Sequence, residues 1–354
     1  SSSDPYVTVT GGTAGLNVGM LSESTLSPFT VVFSASAPAG TYTLDMQFDY
    51  EGYVDTTPVE ILLGRPRTLL HDAMETSDFG WSVSNNTNYS WERAVPQLTT
   101  TGGQIAQPGN DNPNGSGSQC WVTGAAAGSS VGANDVDGTT VLTSPVFHSS
   151  GFSGLTLELA RWFANLPGSA TDDELLAEVS NDGGQSWTVL DQTPNANYWN
   201  TVSYRLEDFI ALSESMRVRF TVSDNPNNDL TEGLIDDVKL LTVSGLPTLG
   251  ILGEANIGQT VRAHFDGPAG KSWTLAYSLA RSNGQTVPGI AGEFFLSGYT
   301  VLNSGSVGAD GTASWQTSIP NDPNLSGKTV YLQAVYDYRN ADAAFSNLLS
   351  LEIM

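Results

Sequence analysis

Acidic side chains at short spacings carry most of the chemistry this chain could do. In "SSVGANDVDGTTVLTSPVF" (129–147), Asp135 and Asp137 stand two apart, so an extended backbone points them the same way, and Gly138 ends the run. Carboxylates placed like this are ligands for a hard cation. Calcium takes roughly six to eight oxygens from carboxylates, carbonyls and water. More carboxylates lie at the two ends of the surrounding block: Asp72 and Glu75 in "HDAMETSDFGW", and Asp236 and Asp237 in "LIDDVKLLTV". The first and last strands of a jelly roll usually lie close together. Asp72, Glu75, Asp236 and Asp237 can then converge from opposite ends of the sequence, and one calcium ion can tie Asp135 and Asp137 to the first strand through Asp72 or Glu75 and to the last through Asp236. Asp236 alternates with Val238 and Leu240, which places it on their inward face. An inward carboxylate is expensive to bury unless it is paired or bound to metal. The block is rich in oxygen donors and poor in nitrogen and sulfur, which disfavours zinc. "NDVDG" does not complete an EF-hand loop. The plain alternative is a solvated acidic turn.

Other reaction centres find little support. The three histidines, His71, His148 and His264, form no His-Glu-x-x-His pattern and read as structural. There is no Gly-x-Ser-x-Gly elbow and no phosphate loop. "TDDEL" (171–175) and "SWERA" (90–94) could supply a glycosidase pair only if folding sets two carboxyls about 5–10 Å apart. "VSNDGGQSW" (179–187) fits the Ser-x-Asp-x-Gly-x-Ser/Thr-Trp pattern known as the Asp box and resembles the hairpin turn of sialidase propellers and many secreted β domains. That resemblance implies that Asp182 caps the turn, Gly183 and Gly184 supply positive φ, and Trp187 packs beneath, a structural role. Eight tryptophans and twelve tyrosines could line a sugar groove, but such residues more often fill sandwich cores. Cys120, the only cysteine, reads as a small buried hydrophobe and allows no intrachain disulfide.

The elements that must position these groups are strands. "TYTLDMQFDY", "GLTLELARWF", "MRVRFTVSD", "KSWTLAYSLA" and "TVYLQAVYDY" all alternate with period two, between Gly, Asn, Asp and Pro punctuation. One short helix is expected, near "LEDFIALS" (206–213). The fold class is therefore all-β. Linkers at "LLGRPRTLL" and "TVSGLPTLG" divide the chain into three modules. These are a partial immunoglobulin-like sandwich (1–66), a central jelly-roll sandwich (67–245) and a small C-terminal β-sandwich (246–354). The first is too short for the usual seven strands, so its edges are expected to accept an added strand. The chain has 37 acids against 13 bases, a net charge of −24, which disfavours nucleic acid and anionic membranes. The middle module holds 22 of those acids against 7 bases, so the charge is densest around "NDVDG". No run is long enough for a membrane-spanning helix. The abrupt start at "SSSDPY" reads as a mature or trimmed product.

In order along the chain, "GWSV", "WERAVPQ", "QPGNDN", "CWVTG", "NDVDGTTVLTSPVF", "EVSNDGGQSW" and "IDDV" resemble the MAM-like jelly-roll accessory domain of secreted bacterial peptidases. Such domains accompany zinc carboxypeptidases and immune-inhibitor-A-like enzymes. They are more distantly similar to gingipain cleaved-adhesin domains. The resemblance implies a fold for most of 69–243, an extracellular or cell-surface setting, and calcium held by Asp72, Glu75, Asp135, Asp137 and Asp236. It carries over no catalytic residue. The flanking blocks resemble immunoglobulin-like modules at the level of fold. The expected function is a non-catalytic, calcium-stabilised β-module protein, an accessory or adhesive part of a larger secreted protein. Its expected partners are a carbohydrate or protein surface, parent-protein domains or a second copy. The rival readings are a structural subunit of a surface filament or layer built by strand addition, and a glycosidase with an unrecognised carboxylate pair.

Overall fold

The computed structural model describes residues 4–354, except 12–28, 35–36, 38–39, 51, 78–79, 88, 150–151, 153, 167–172, 227, 338–339 and 341. It contains strands and two 3-10 turns, with no α-helix among the described residues. Among the described residues no helix is long and apolar enough to cross a membrane. The expected helix near 206–213 is a single 3-10 turn, Leu206–Asp208, whose Leu206 is buried. The chain forms two compact units, residues 1–66 with 243–245 and residues 67–242 with 246–354.

In the first unit, β1 (Val7–Thr10) pairs with β2 (Thr30–Phe33). The long hairpin β3 (Gly40–Tyr50) and β4 (Tyr53–Leu63) forms a second two-stranded sheet. Alternation puts Tyr42 and Leu44 on one face of β3. There they join Val7, with Val9, Val31, Phe33, Val59 and Ile61 packed around them.

The second unit begins with a two-sheet antiparallel sandwich of jelly-roll type. Its strands are β5 (Arg65–Asp72), β6 (Ser82–Asn85), β7 (Trp91–Ala94), β8 (Thr99–Thr101), β9 (Gln104–Gln107), β10 (Cys120–Thr123), β11 (Gly138–Thr143), β12 (Thr156–Leu166), β13 (Glu174–Ser180), β14 (Thr188–Thr193), β15 (Asn200–Arg205), β16 (Arg217–Asp224) and β17 (Leu230–Ser244). One sheet has the order β15-β12-β17-β10-β7, with β5 also on β17; the other has the order β14-β13-β16-β11-β6. Strand β16 shows why these residues form a sheet. Val218, Phe220 and Val222 are buried, while Arg217, Arg219, Thr221 and Ser223 face away from the core. Phe220→Ala would leave a hole worth about 3–5 kcal/mol.

A smaller sandwich completes the second unit. Strands β18 (Thr248–Leu252), β19 (Thr260–Asp266) and β24 (Thr312–Ser318) make one sheet. Strands β20 (Ser272–Ser278), β23 (Thr300–Ser306), β25 (Thr329–Tyr336), β26 (Ala344–Phe345) and β27 (Leu349–Glu352) make the other, and β21 (Arg281–Thr286) with β22 (Glu293–Leu296) forms a ribbon. Phe265 and Trp273 stack in its core with ring centroids 4.0 Å apart. Ionic and backbone contacts join the two sandwiches. Arg67 donates to Asp266 at 2.9 Å, Arg262 lies 3.6 Å from Asp72, and Phe147 bridges to both Met216 and Leu252.

Candidate metal centres

The carboxylates of the jelly roll gather at two places. The first lies under the loop between β9 and β10. A β-bulge opposite Glu158 and Ala160 interrupts β17, and Asp237 there takes a positive φ of 49°. The bulge reverses the alternation beyond it. Ile235, Val238 and Leu240 all face the main core, whereas Leu234 joins a separate apolar cluster with Cys120 and Val122. Asp236 therefore lies on the outer face with Leu234, and not on the inward face with Val238 as simple alternation places it. It is nonetheless only 1% exposed, because the loop covers it. The backbone N–H of Asn112 donates to Asp236 Oδ2 at 3.2 Å, and Asn112 Nδ2 donates to Asp237 Oδ2 at 2.8 Å. His71 Nε2 lies 3.2 Å from Asp237 Oδ1. Glu75 accepts from the backbone N–H groups of Ser118 and Gln119 at 3.0 and 2.8 Å.

Asp111 completes this group. It is buried, and its Oδ2 has no hydrogen-bond partner among the described residues. Burial, then the charges of Glu75 and Asp237, push its carboxyl up. Burial and the neighbouring Asp237 carboxylate push Asp236 up to about 8. Burial opposes ionisation of Asp237 as well, but the hydrogen bonds from His71 and Asn112 hold its carboxyl below the usual range. The loop is shaped to approach these groups. A Cβ on Gly115 would stand 1.9 Å from Asp237 Oδ2, and one on Gly117 would stand 2.0 Å from the Glu75 carboxyl carbon. The donors here are the oxygens a hard cation such as calcium takes, but among the described residues no three of these acids bring ligand atoms within 4.8 Å of one another, as the second group does.

The second group lies where the loop before β11 meets the end of β16. Ligand oxygens of Asp135, Asp137 and Asp224 all fall within 4.8 Å of one another. Asp135 and Asp224 are buried and Asp137 is exposed. The N–H of Val136 donates to the carbonyl of Thr231 near the start of β17. Asp236 lies five residues further along that strand, about 16 Å away at the usual rise. The sequence candidates therefore do not surround one ion. Glu75 and Asp236 belong to the first group, and Asp135 and Asp137 to the second. Asp72 serves elsewhere: its carboxylate accepts from the Met74 backbone and from the Trp81 indole at 3.0 Å, and pairs with Arg262. Asp237, one of the converging acids of the sequence, belongs to the first group; Asp111 and Asp224 are additions that the sequence did not put forward.

The remaining candidates are structural. Asp182 accepts from the Ser180 and Ser186 hydroxyls and from the N–H groups of Gln185 and Ser186. Gly183 and Gly184 take positive φ, as the turn requires. Trp187 is half-buried, donates its indole N–H to Gly184 and lies under the Arg219 guanidinium, 4.3 Å from its ring centroid. Burial lowers His148, which reaches the Gly253 carbonyl, and lowers His264 to about 3 with help from the His71 and Arg262 charges. In "SWERA", Glu92 is tied to the Ala125 N–H. In "TDDEL", Asp173 is buried against Asn165, while residues 171–172 lie outside the described residues.

No family model matches the chain, and no characterised protein matches it in sequence. Among solved structures it is similar to the module TmCBM61 in complex with β-1,4-galactotriose, at 14% identity over 50% of this chain and 99% of that one, with a TM-score of 0.30. It is similar to the K2 cleaved adhesin domain of Lys-gingipain at 14% identity, covering 48% and 98% of the two chains, with a TM-score of 0.31. It is similar to the CBM22-1 xylan-binding domain from Paenibacillus barcinonensis Xyn10C at 13% identity, covering 51% and 96%, with a TM-score of 0.29.

Proposed function

We infer that this chain is a non-catalytic, extracellular β-module protein whose jelly roll is locked by calcium, and that it serves as an accessory or adhesive part of a larger secreted protein. The observation that carries this reading is Asp111 Oδ2, buried without a hydrogen-bond partner among the described residues and under the repelling charges of Glu75 and Asp237. These acids come from three parts of the jelly roll: Glu75 just after the first strand, Asp111 in the β9–β10 loop, and Asp236 and Asp237 in the last strand. A cation here would tie chain ends to a loop and stiffen the sandwich without catalysing a reaction. It would also offset the mutual repulsion of the carboxylates. The acidic, Lys-poor composition suits an exterior rich in free calcium. A carbohydrate or protein surface is the ligand class proposed for such a module.

The test is a melting curve of the full chain with calcium and after chelation. An ion that binds only the folded state raises stability by about 2.7 kcal/mol at a hundredfold excess over Kd. Chelation should lower the melting temperature, and Glu75→Gln or Asp236→Asn should shrink the response by the part this centre supplies. Identical curves with and without calcium would overturn the reading.

Assembly by strand addition is a second reading, favoured by the first unit. Strands β3 and β4 pair only with each other among the described residues, which leaves two eleven-residue edges unpaired. Exposed edges of this length template further pairing. Light scattering across a wide concentration range should then show growing assemblies. A monomer at every concentration would refute it.

A further inference from the structure

We propose that the loop before β11 and the turn between β16 and β17 form a second divalent-cation site, built on Asp135, Asp137 and Asp224 and independent of the first. Asp224 carries the argument. The alternation of β16 buries Val218, Phe220 and Val222, and the next inward position is Asp224, 1% exposed. Among the described residues its Oδ1 receives one long bond, 3.4 Å, from the Asn228 N–H, and its Oδ2 is buried with no partner. Asp229, in the same turn, has a second buried carboxylate oxygen without a partner. A carboxylate at the edge of an apolar core needs a compensating charge or proton. Asp224's strongest electrostatic neighbours are Asp173, Asp135 and Asp137, all acids.

The geometry suits a shared ion. Two oxygens on one calcium ion, each at about 2.3–2.6 Å, lie at most about 5 Å apart. The 4.8 Å spread of the three carboxylates meets that limit. All three donors are oxygen, the ligand chemistry of calcium rather than of zinc or copper. The loop is also held in place from behind. Asn134 Nδ2 donates to the Ala126 carbonyl at 2.7 Å, and the Thr139 N–H donates to Asn86 Oδ1 at 2.6 Å. Gly138 keeps φ at 124°, where a Cβ would meet Asn86. The exposed Asp137 gives the ion its route in from solvent. Once bound, the cation would clamp residues 131–138 onto the β16–β17 turn.

The experiment uses the full chain, stripped with chelator and titrated with calcium by calorimetry, with ion counts from native mass spectrometry. The expected result is two ions per chain. Asp224→Asn should bind one, and a Glu75→Gln/Asp236→Asn double variant should bind one at the site left intact. Asp137→Asn, a change at an exposed position that spares the core, should weaken one site at least tenfold and leave the other unchanged. Amides of residues 131–138 should gain hydrogen-exchange protection with calcium in the wild type and not in Asp224→Asn. The proposal is overturned if Asp224→Asn and Asp137→Asn bind as many ions as tightly as the wild type. It is also overturned if two ions bind and neither protects this loop. Loss of an ion in Glu75→Gln alone would leave the first centre standing and remove the second; the opposite pattern would do the reverse.

Discussion

Asp182 and Asp224 both stand at strand ends, and their surroundings drive them in opposite directions. Asp182 is an acceptor for hydroxyl and N–H donors throughout its turn, which hold its carboxyl far below the ordinary range. A depressed folded pKa contributes stability that is present above the unfolded carboxyl pKa and lost as pH falls. Asp182→Ala should therefore lower the melting temperature at neutral pH, more than it does in acid, while calcium uptake stays unchanged. A loss of calcium binding in that variant would contradict the assignment of Asp182 to the turn alone. Asp224 has the reverse character: burial and neighbouring acids push its carboxyl up to about 7. Gly115 makes a further test at this scale. Its missing side chain leaves room for Asp237, and Gly115→Ala would press a methyl group into that carboxylate. Overpacking of this kind costs about 1–3 kcal/mol, and the calcium-dependent shift in melting temperature should shrink with it.

The β9–β10 loop, the bulge in β17 and the loop before β11 bring acids together at the level of elements. Without a cation, Asp135, Asp224 and Asp236 are raised to about 6, 7 and 8. The folded chain then holds protons more tightly than the unfolded one. The resulting stability is fully present below the unfolded carboxyl pKa of about 4 and is lost as pH rises through about 6–8. The chelated protein should melt at falling temperature across that window, and calcium, which binds the ionised forms, should flatten the profile. Parallel profiles with and without calcium would refute this. Much of this layer was readable in the sequence. The alternation of "MRVRFTVSD" already sets Asp224 on the face of Val218, Phe220 and Val222. The bulge at Asp237 was not readable, because nothing local marks an aspartate with positive φ, and it turned Asp236 to the other face. Asp111 and Asn112 sit in a loop without periodicity, and only tertiary packing brings them to β17.

On the scale of the molecule, the two sandwiches of the second unit share ionic and apolar contacts, so this unit should melt in one calorimetric transition. Arg262→Ala would leave Asp72 without its guanidinium, at a cost on the order of 2–3 kcal/mol, below the full value of a buried pair because 3.6 Å is long. That variant should lower the melting temperature of both sandwiches together; two separated transitions in the wild type would contradict the coupling. Cys120 offers a different view of the same molecule. It is the only thiol in the chain, it is fully buried, and it lies in the electrostatic reach of Asp236, Asp111 and Glu75. Burial keeps it protonated and inert, so a thiol reagent can react only during openings that expose it. Its labelling rate is then a clock for how often the covering loop lifts. Calcium should slow that clock, chelator should speed it, and Asp224→Asn, which acts at the end of β16 near the start of β17, should leave it running at the same pace.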